Sequence, residues 1–393
     1  MVLLSIYILI GPLAWLGLLV LLLIGRSRMM RLRQKAYPLP ERLPKVTVII
    51  PAKDEAERIE QCVRSVLAMD FASFDVIAID DRSRDNTGQI LDRLEPEAKG
   101  RLRVVHVAPD ALPAGWLGKC NALFVGSRAA TQSDWLLFVD SDVIVQQDAL
   151  RATLALAAHR KYDVLTILTR LECDSFLERM MLPLCAGLWS VMFRISLTND
   201  DNGETAAANG QFFLVRRTAY EAVGGHAAVR DQIVEDVELM RLLKSRGFRT
   251  RFMFGSHLAA TKMHSTLRQM FHGWGRIFSG TARRETAPIL LATTFLIVAG
   301  FSVYPALFYG IVRIVRVGDG IWLLAGVCHW LLMMLFLAMI YRGSGNRARY
   351  MHLFPVSASL LVAFLAYSLR LCRTGRVTWR GTQFSAGAPT ATN

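Results

Sequence analysis

The chain has 393 residues, of which 53% are hydrophobic and 20% charged, and its mean hydropathy is +0.32. This composition excludes a disordered, collagen-like or coiled-coil protein, and six cysteines in a chain of this length exclude a disulfide-built scaffold. The length allows two soluble domains, or one soluble domain with membrane segments. The formal net charge of +14 would suit a nucleic-acid partner, so the distribution of the charge has to be examined.

The positive charge lies beside apolar segments. Residues 26–35 carry five basic side chains and no acidic one, whereas residues 36–286 carry 32 basic and 31 acidic side chains. Further arginines flank the apolar runs near the C-terminus. Membrane proteins place Lys and Arg in this way, so the sequence predicts a membrane as a partner and no nucleic acid.

The N-terminal segment 1–25 is predicted to be a transmembrane anchor. Its first 24 residues carry no charge and are long enough to cross a hydrocarbon core of about 30 Å. The basic cluster follows this core, whereas in a signal peptide it would precede a shorter one. The positive-inside rule then places the N-terminus outside and the basic linker 26–44 in the cytoplasm. We therefore expect a multi-pass protein of the cell (inner) membrane.

Two or three further spans are predicted within 287–370, from apolar runs at 287–312, 321–341 and 353–369. The first run contains Pro288, Gly300 and Pro305, which permit a broken or re-entrant helix. If all runs cross the membrane, the basic to polar tail 371–393 ends outside, against the positive-inside rule, so the number of spans stays open.

A helix is predicted within 261–286, before these runs. Its apolar residues recur at helical spacing, and residues 264–284 contain no acidic side chain. This pattern is typical of an amphipathic helix in the membrane interface, and an ordinary core-facing helix is the alternative.

The remaining segment, 45–260, alternates short apolar runs of β-forming residues with segments long enough for helices. This alternation predicts an α/β domain with a mostly parallel, Rossmann-like sheet, whose ligands bind at the carboxyl ends of the strands. Neither GxGxxG nor GxxxxGK[ST] occurs, which argues against a dinucleotide or P-loop site. The predicted strands are 46–50, 75–79, 103–107, 135–139 and 163–168, and the predicted helices are 54–68, 85–94, 119–130 and 147–159.

Carboxylates follow three of the predicted strands. Glu55 follows the first, Asp80 and Asp81 the second, and Asp140 and Asp142 the fourth. Parallel register brings these strand ends to one edge of the sheet. Asp140 and Asp142 stand two positions apart and can both reach one cation. A site of one or two carboxylates completed by phosphates suits Mg²⁺ or Mn²⁺.

Two more features carry candidate chemistry. Lys119, in the run GKCNAL, opens a predicted helix whose N-terminus favours anions. The alternative for Lys119 is a solvated surface lysine. Glu235 and Asp236 open another predicted helix. They either compensate the helix dipole or supply a general base that takes a proton from an attacking hydroxyl.

Six elements follow one another between Lys45 and Gly247: VTVIIPAKDEAERI, the acid pair at 80–81, GKCNAL, the DSD at 140–142, NGQFFLVRRTAYEAVGG at 209–225 and the acid pair at 235–236. Together, and in this order, they resemble the family 2 glycosyltransferases of the GT-A fold. In addition, GWLGKCNAL, SFLERMMLP and the membrane segments are similar to the hopanoid-associated and ceramide-glucosyltransferase-like members, which are membrane-bound. The resemblance implies a GT-A domain at 45–260.

The resemblance also implies roles for the matched positions. Asp236, the second acid of its pair, is the implied catalytic base. The implied donor-binding residues are Glu55, Asp81, Lys119 and Asp140, and the implied metal ligands are Asp142 and Asp140. Acceptor binding or closure over the donor is implied for Gly210, Gln211, Glu235, Gln269 and Trp274.

One motif departs from the family pattern. Processive members carry QxxRW after the acid pair, but the nearest match here, Gln269 to Trp274, lacks the arginine and is one residue longer. We therefore predict a metal-dependent, inverting glycosyltransferase that makes a single transfer, from a nucleotide-sugar donor to a lipid hydroxyl at the cytoplasmic leaflet. The alternatives are a processive polysaccharide synthase and a non-catalytic membrane scaffold on the same fold.

Overall fold

The chain divides into two compact units in the computed structural model, which describes residues 2–28, 37–192, 194–264, 266–374, 376–379 and 382–385. The helical unit comprises Met1–Arg28, Cys173–Ser196 and His264–Gly375, and the α/β unit comprises Met29–Glu172, Leu197–Met263 and Arg376–Asn393. Residues 29–36 of the predicted linker lie outside the described residues, as do 375, 380, 381 and 386–393 of the predicted tail.

The helices and strands of the described ranges follow in chain order. The α-helices are α1 (Val2–Ile10), α2 (Pro12–Arg28), α3 (Ile59–Leu67), α4 (Thr87–Glu97), α5 (Gly118–Ala129), α6 (Ala149–Arg160), α7 (Phe176–Met192), α8 (Arg217–Ala222), α9 (Glu235–Ser245), α10 (Leu267–Thr281), α11 (Thr286–Phe295), α12 (Val303–Val317), α13 (Ile321–Gly343) and α14 (Phe354–Thr374). The strands are β1 (Val46–Ala52), β2 (Phe74–Asp81), β3 (Leu102–Val107), β4 (Trp135–Phe138), β5 (Val143–Val145), β6 (Val164–Leu168), β7 (Arg170–Leu171), β8 (Phe213–Arg216), β9 (Thr250–Phe254), β10 (Ala259–Thr261), β11 (Arg376–Trp379) and β12 (Thr382–Ser385). Short 3₁₀-helices cover Ile195–Leu197, Gly225–Val229 and Ala348–Leu353, and a π-helix covers Leu296–Gly300.

The α/β unit is built on a mostly parallel sheet with strand order β3-β2-β1-β4-β8-β6-β9. β1 pairs in parallel with β2 and β4, β2 with β3, and β6 with β9, whereas β8 runs antiparallel to β4 and β6. All seven residues of β1 are buried, as expected for a strand covered on both faces. A smaller sheet has the order β5-β10-β7. The predicted α/β fold is confirmed, and the antiparallel β8 is an addition that the sequence did not reveal.

The helical unit contains four described stretches that are long and apolar enough to cross a membrane: Val2–Ser27, Thr286–Val317, Ile321–Gly343 and Ala348–Thr374. The sequence permitted a break in the second stretch. The helix instead continues from α11 to α12 through the π-helix. Such a π-turn widens the helix and leaves backbone carbonyls available to outside donors.

The carbonyl of Ala299, in the π-helix, holds the N-terminal stretch in the bundle. It accepts hydrogen bonds from Trp15 Nε1 at 2.8 Å and from His329 Nε2 at 2.9 Å. Because Nε2 donates, Nδ1 of the neutral ring accepts, and the Tyr7 hydroxyl donates to it at 2.9 Å. Side chains of α2 and α13 thus meet at one carbonyl, and α1 joins them through Tyr7 and His329, so the N-terminal stretch is a packed member of the bundle.

The last helix, α14, runs antiparallel to the chain from α10 to the π-helix. At its start Phe354 packs against Trp15 and Phe301, with ring centroids 6.1 and 6.2 Å apart. Towards its end Ser368 donates to the carbonyl of Gly275 in α10 at 2.9 Å. After α13, the segment Ala348–Leu353 therefore brings the chain back beside α13 to the region of the π-helix. From there α14 returns to α10.

Helix α7 differs from the domain boundaries expected from the sequence. It was placed within the 45–260 domain, but it belongs to the helical unit because it packs on α13. The Tyr341 hydroxyl donates to the carbonyl of Met180 at 2.7 Å. A Cβ added at Gly187 would lie 2.9 Å from Ile340, so glycine allows the two helices to approach closely.

Helix α10 falls in the segment predicted to be interfacial. Met270, Trp274 and Phe278 on one of its faces are buried. Tyr367 of α14 lies so close that a Cβ added at Gly275 would be 2.4 Å from its ring. This buried face matches the core-facing alternative, and a position in the membrane interface stays a prediction.

Candidate functional site

The carboxyl ends of β1, β2 and β4 form one edge of the sheet in the α/β unit. The register places Ala52 of β1 opposite Asp80 of β2, and Ile49 of β1 opposite Phe138 of β4. The chain leaves β4 through a turn in which Val143 N donates to the carbonyl of Asp140 at 3.1 Å. The acidic side chains after β2 and β4 therefore emerge at the same edge of the sheet, as the alternating pattern predicts.

Lys119 connects two of the predicted acidic elements. Its Nζ lies 2.8 Å from Asp140 Oδ1 and 2.8 Å from Glu235 Oε1. Burial alone would lower the pKa of Lys119, but the carboxylates of Asp140, Glu235 and Asp236 raise it well above its usual value. Lys119 is therefore a charged lysine at the N-terminus of α5, between the turn after β4 and the start of α9.

The carboxylate of Asp236 lies beside this lysine at the start of α9. Its Oδ2 accepts a hydrogen bond of 2.6 Å from Gly210 N, and its Oδ1 accepts one of 2.8 Å from Val237 N. Burial and the neighbouring Glu235 raise the pKa of Asp236 to about 7, although Lys119 and the two backbone N–H groups act in the opposite direction. A carboxylate whose pKa lies near neutrality suits proton transfer at physiological pH.

Asp142 lies among other acidic groups. Burial, followed by the charges of Asp140 and Glu55, raises its pKa, and Arg58 and Lys119 partly compensate. Arg58 is itself held by hydrogen bonds to the carbonyls of Lys262 and Met263. Carboxylates grouped in this way favour the binding of a cation.

These oxygen donors suit a divalent metal only if the substrate supplies further ligands. Among the described residues, no three or more His, Cys, Asp or Glu side chains group closely enough to hold a metal ion. Mg²⁺ commonly takes one or two carboxylates and completes its shell with water and substrate phosphates. Asp140 and Asp142 fit that kind of site.

Asp81 lies at the end of β2 with a side chain that is 2% exposed. Both of its oxygens accept from Arg82, with Nε and Nη2 each at 2.8 Å. The sequence suggested neither this bidentate pair nor the left-handed backbone of Arg82, whose φ is 60°. Each carboxylate oxygen keeps a lone pair, so Asp81 can still accept from a bound nucleoside.

The remaining predicted site residues separate into two groups. Gly210 and Gln211 belong to a turn of the α/β unit that meets Asp236. Gln269 and Trp274 belong to the helical unit. There Gln269 closes a capping box with Thr266 at the start of α10, and Trp274 is 4% exposed. These two side chains thus have local structural roles within their helix.

The sequence analysis missed two contributors at the turn and the strand edge. Asn209 makes four hydrogen bonds through its side chain, and Arg58 faces Asp142. Asn209 stands in the NGQ run that carried the resemblance, so that run held a signal. No local pattern distinguishes Arg58 from a surface arginine.

Comparison with known proteins identifies the family. The sequence profile described as "Glycosyltransferase like family 2" matches residues 44–276, which is more than half of the chain. The chain belongs to this family. Membership of this family was predicted from the sequence, and the matched segment contains every site residue discussed above.

The chain is similar to curated proteins of Staphylococcus aureus. The 4,4'-diaponeurosporenoate glycosyltransferase of strain MRSA252 is 26% identical over 262 residues, and that of strain USA300 is 24% identical. The match covers 64% of this chain and 65% of each relative. The mannosyltransferase PcManGT from Pyrobaculum calidifontis, solved with GDP-Man and Mn²⁺, superposes with a TM-score of 0.53 at 16% identity. This likeness covers 84% of the chain and 97% of that structure, and it supports the GT-A fold alone.

Proposed function

We propose that this family 2 glycosyltransferase transfers one sugar, with inversion, from a nucleotide-sugar donor to the hydroxyl of a membrane lipid. The observation that carries the proposal is the double ion pair of Lys119, at 2.8 Å to both Asp140 and Glu235. The ammonium group of Lys119 thereby links Asp140, on the side suited to the donor diphosphate, with the acid pair that contains Asp236. Donor and base are adjacent in such a site, as a direct displacement requires.

The donor half uses the strand edge. Asp81 and Glu55 would hold the nucleoside. Asp140 and Asp142 would hold a divalent metal, Mg²⁺ or Mn²⁺, which when bound neutralises charge on the leaving diphosphate. The ammonium of Lys119 attracts the same phosphates, and the N-terminus of α5 adds its backbone N–H groups.

The acceptor half uses Asp236. Its carboxylate takes the proton of the acceptor hydroxyl while that oxygen bonds to the anomeric carbon and the bond from this carbon to the diphosphate oxygen breaks. The proton then passes from Asp236 to water, and the nucleoside diphosphate leaves. A single displacement of this kind inverts the anomeric centre.

The acceptor class is drawn from two observations. The apolar stretches of the helical unit suit a lipid substrate, and the S. aureus relatives are named for 4,4'-diaponeurosporenoate, which by its name is a carboxylate. A carboxylate acceptor is the second candidate. It is ionised at neutral pH and needs no base, whereas a hydroxyl does, so the acid pair at the start of α9 favours a hydroxyl.

We also propose that the catalytic unit lies in the cytoplasm, at the cell (inner) membrane. The basic residues 26–35 support this side. Because α14 returns to α10, we infer three full crossings and a re-entrant stretch at Ala348–Thr374. Residue 374 then lies on the same side of the membrane as residues 28 and 286. This arrangement accommodates the basic tail on the cytoplasmic side, where a fourth crossing would not.

The test is transfer by detergent-purified protein, with UDP- and GDP-sugars, Mn²⁺ or Mg²⁺, and total membrane lipid present or omitted. We expect nucleoside diphosphate release that requires metal and lipid and gives a product with one added sugar. Long polymers would instead indicate the processive alternative. Absence of both turnover and metal-dependent nucleotide binding would contradict the proposal.

A further inference from the structure

The turn Asn209–Gly210–Gln211 touches the proposed base through its backbone. Gly210 N donates to Asp236 Oδ2 at 2.6 Å, which is short for a bond to a carboxylate. A Cβ at position 210 would lie 3.2 Å from Asp236 Oδ2 and 3.4 Å from Lys119 Nζ. The backbone of Gly210 therefore lies close to the base and the lysine, with little room for a larger residue.

A polar side-chain network fixes the turn to the strands behind it. Asn209 Nδ2 donates to the carbonyl of Ile167 at 3.1 Å, to Thr169 Oγ1 at 3.3 Å and to Gln211 Oε1 at 3.2 Å. The Thr169 hydroxyl also donates to Gln211 Oε1, and Gln211 Nε2 donates to Thr261 Oγ1 at 3.4 Å. Thr169 and Thr261 are only 5% and 1% exposed.

The backbone of the same turn is held by a third threonine, Thr166. Asn209 N donates to Thr166 Oγ1 at 3.0 Å, and this hydroxyl donates to the carbonyls of Asn209 and Phe212. Thr166 lies in β6, which belongs to the main sheet, whereas Thr261 lies in β10 of the smaller sheet. The turn is thus fixed to both sheets, and its one backbone N–H that reaches Asp236 has a defined place.

We propose that this network is a positioning device for the base: Asn209, Gln211 and Thr169 hold the Gly210 N–H so that it orients the Asp236 carboxylate toward the acceptor. The inference rests on the proposed function. It assigns to Gln211 a role behind the base, in place of the closure over donor or acceptor that the resemblance implied. Asn209, Gln211 and Thr169 are positioning residues, since they act on the reaction through Gly210 and Asp236.

The experiment replaces Thr169, because Val and Ser separate loss of the hydroxyl from loss of volume. We expect Thr169→Val to lower kcat about tenfold or more, which is part of the effect of a well-placed general base. The affinity for nucleoside diphosphate with Mn²⁺, measured by titration calorimetry, should stay within about twofold, and Thr169→Ser should keep near wild-type kcat. Gln211→Ala, a second variant, should repeat the loss of kcat.

The matched control is Thr153→Val. Thr153 is a fully buried threonine whose hydroxyl donates to the carbonyls of Ala149 and Leu150 within α6. This variant should keep wild-type kcat. Wild-type transfer in the same assay tests the proposed function separately. Unchanged kcat in folded Thr169→Val, or a parallel loss of nucleotide affinity and kcat, would overturn the positioning role.

Discussion

Replacing Asp236 by asparagine should abolish transfer while it stabilises the free protein at alkaline pH. The raised pKa implies the stabilisation, because burial and the neighbouring Glu235 make an ionised carboxylate unfavourable in the folded state. An isosteric amide removes that charge. It also removes the group that would accept the proton of the acceptor hydroxyl.

The size of the stabilisation follows from the pKa shift of Asp236. Folding raises the pKa of Asp236 from 3.8 to about 7, so stability is lost as the pH rises from about 4 through 7, and the full cost above pH 7 is about 4 kcal/mol. Contact of this half-buried side chain with water reduces the cost to about 2 kcal/mol. The amide NH₂ of the introduced asparagine would face one of the two N–H donors, which costs about 1 kcal/mol. The net gain at pH 8 is then about 1 kcal/mol, and it vanishes near pH 5.

Thermal unfolding of metal-free and donor-free protein at pH 8 and at pH 5 checks the change in stability. Turnover with metal and donor then checks the loss of transfer. A gain of about 1 kcal/mol raises Tm by about 2–4 °C for a domain of this size, and kcat should fall about 10²- to 10⁴-fold while nucleotide affinity is kept. The control is Asp231→Asn, an exposed acid that accepts only from Gln232 among its described contacts. Wild-type kcat in Asp236→Asn would refute the assignment of the base. A lower Tm at pH 8 would refute the electrostatic reasoning.

Three further expectations concern the metal, the fold and the topology. Asp142→Asn should remove metal-dependent nucleotide binding, measured by calorimetry with Mn²⁺, and an unchanged metal requirement would exclude Asp142 as a ligand. Burial lowers the pKa of His226 to about 3, so the unfolded state binds more protons at this site, and the contribution of His226 to stability should fall by about 2 kcal/mol from pH 7.5 to 5. Denaturant unfolding of His226→Asn should lack this loss, and an equal pH dependence in the variant would contradict the assignment. Reporters at residues 28 and 374 should lie on the same side of the membrane, opposite one in the loop 318–320, and a reporter at 374 on the side of that loop would indicate a fourth crossing.

The strands and the acidic edge follow from local pattern. Apolar runs such as 46–50 and 135–139 could be placed because a buried parallel strand reads as a continuous apolar segment. The position of the acidic groups at the end of β2 and after β4, on one edge of the sheet, then follows from parallel register alone. No contact between distant side chains has to be known for either step.

What the sequence concealed are contacts between distant segments. Lys119 and Glu235 meet although more than a hundred residues separate them, and neither neighbourhood encodes the partner. Helix α7 is apolar enough to suit either unit, and its packing on α13 decides the matter. Gln269 suited a family motif, but its position three residues after Thr266 also makes a capping box, which the local sequence did contain.

The charge of the site explains why its parts depend on one another. Asp140, Asp142, Glu235 and Asp236 place four carboxylates near one lysine, and the pKa values of Asp142 and Asp236 are raised by burial and by their acidic neighbours. A divalent cation bound at Asp140 and Asp142 would reduce the repulsion between these two carboxylates. Lys119 would then interact less with Asp140 and more strongly with Glu235 and Asp236. The pKa of Asp236 would then fall, which keeps the base ionised when donor and metal are present. On the proposed mechanism, chemistry and donor binding would be coupled through the single ammonium group of Lys119, so Lys119→Met should impair both nucleotide affinity and kcat, unlike any change at the turn behind the base.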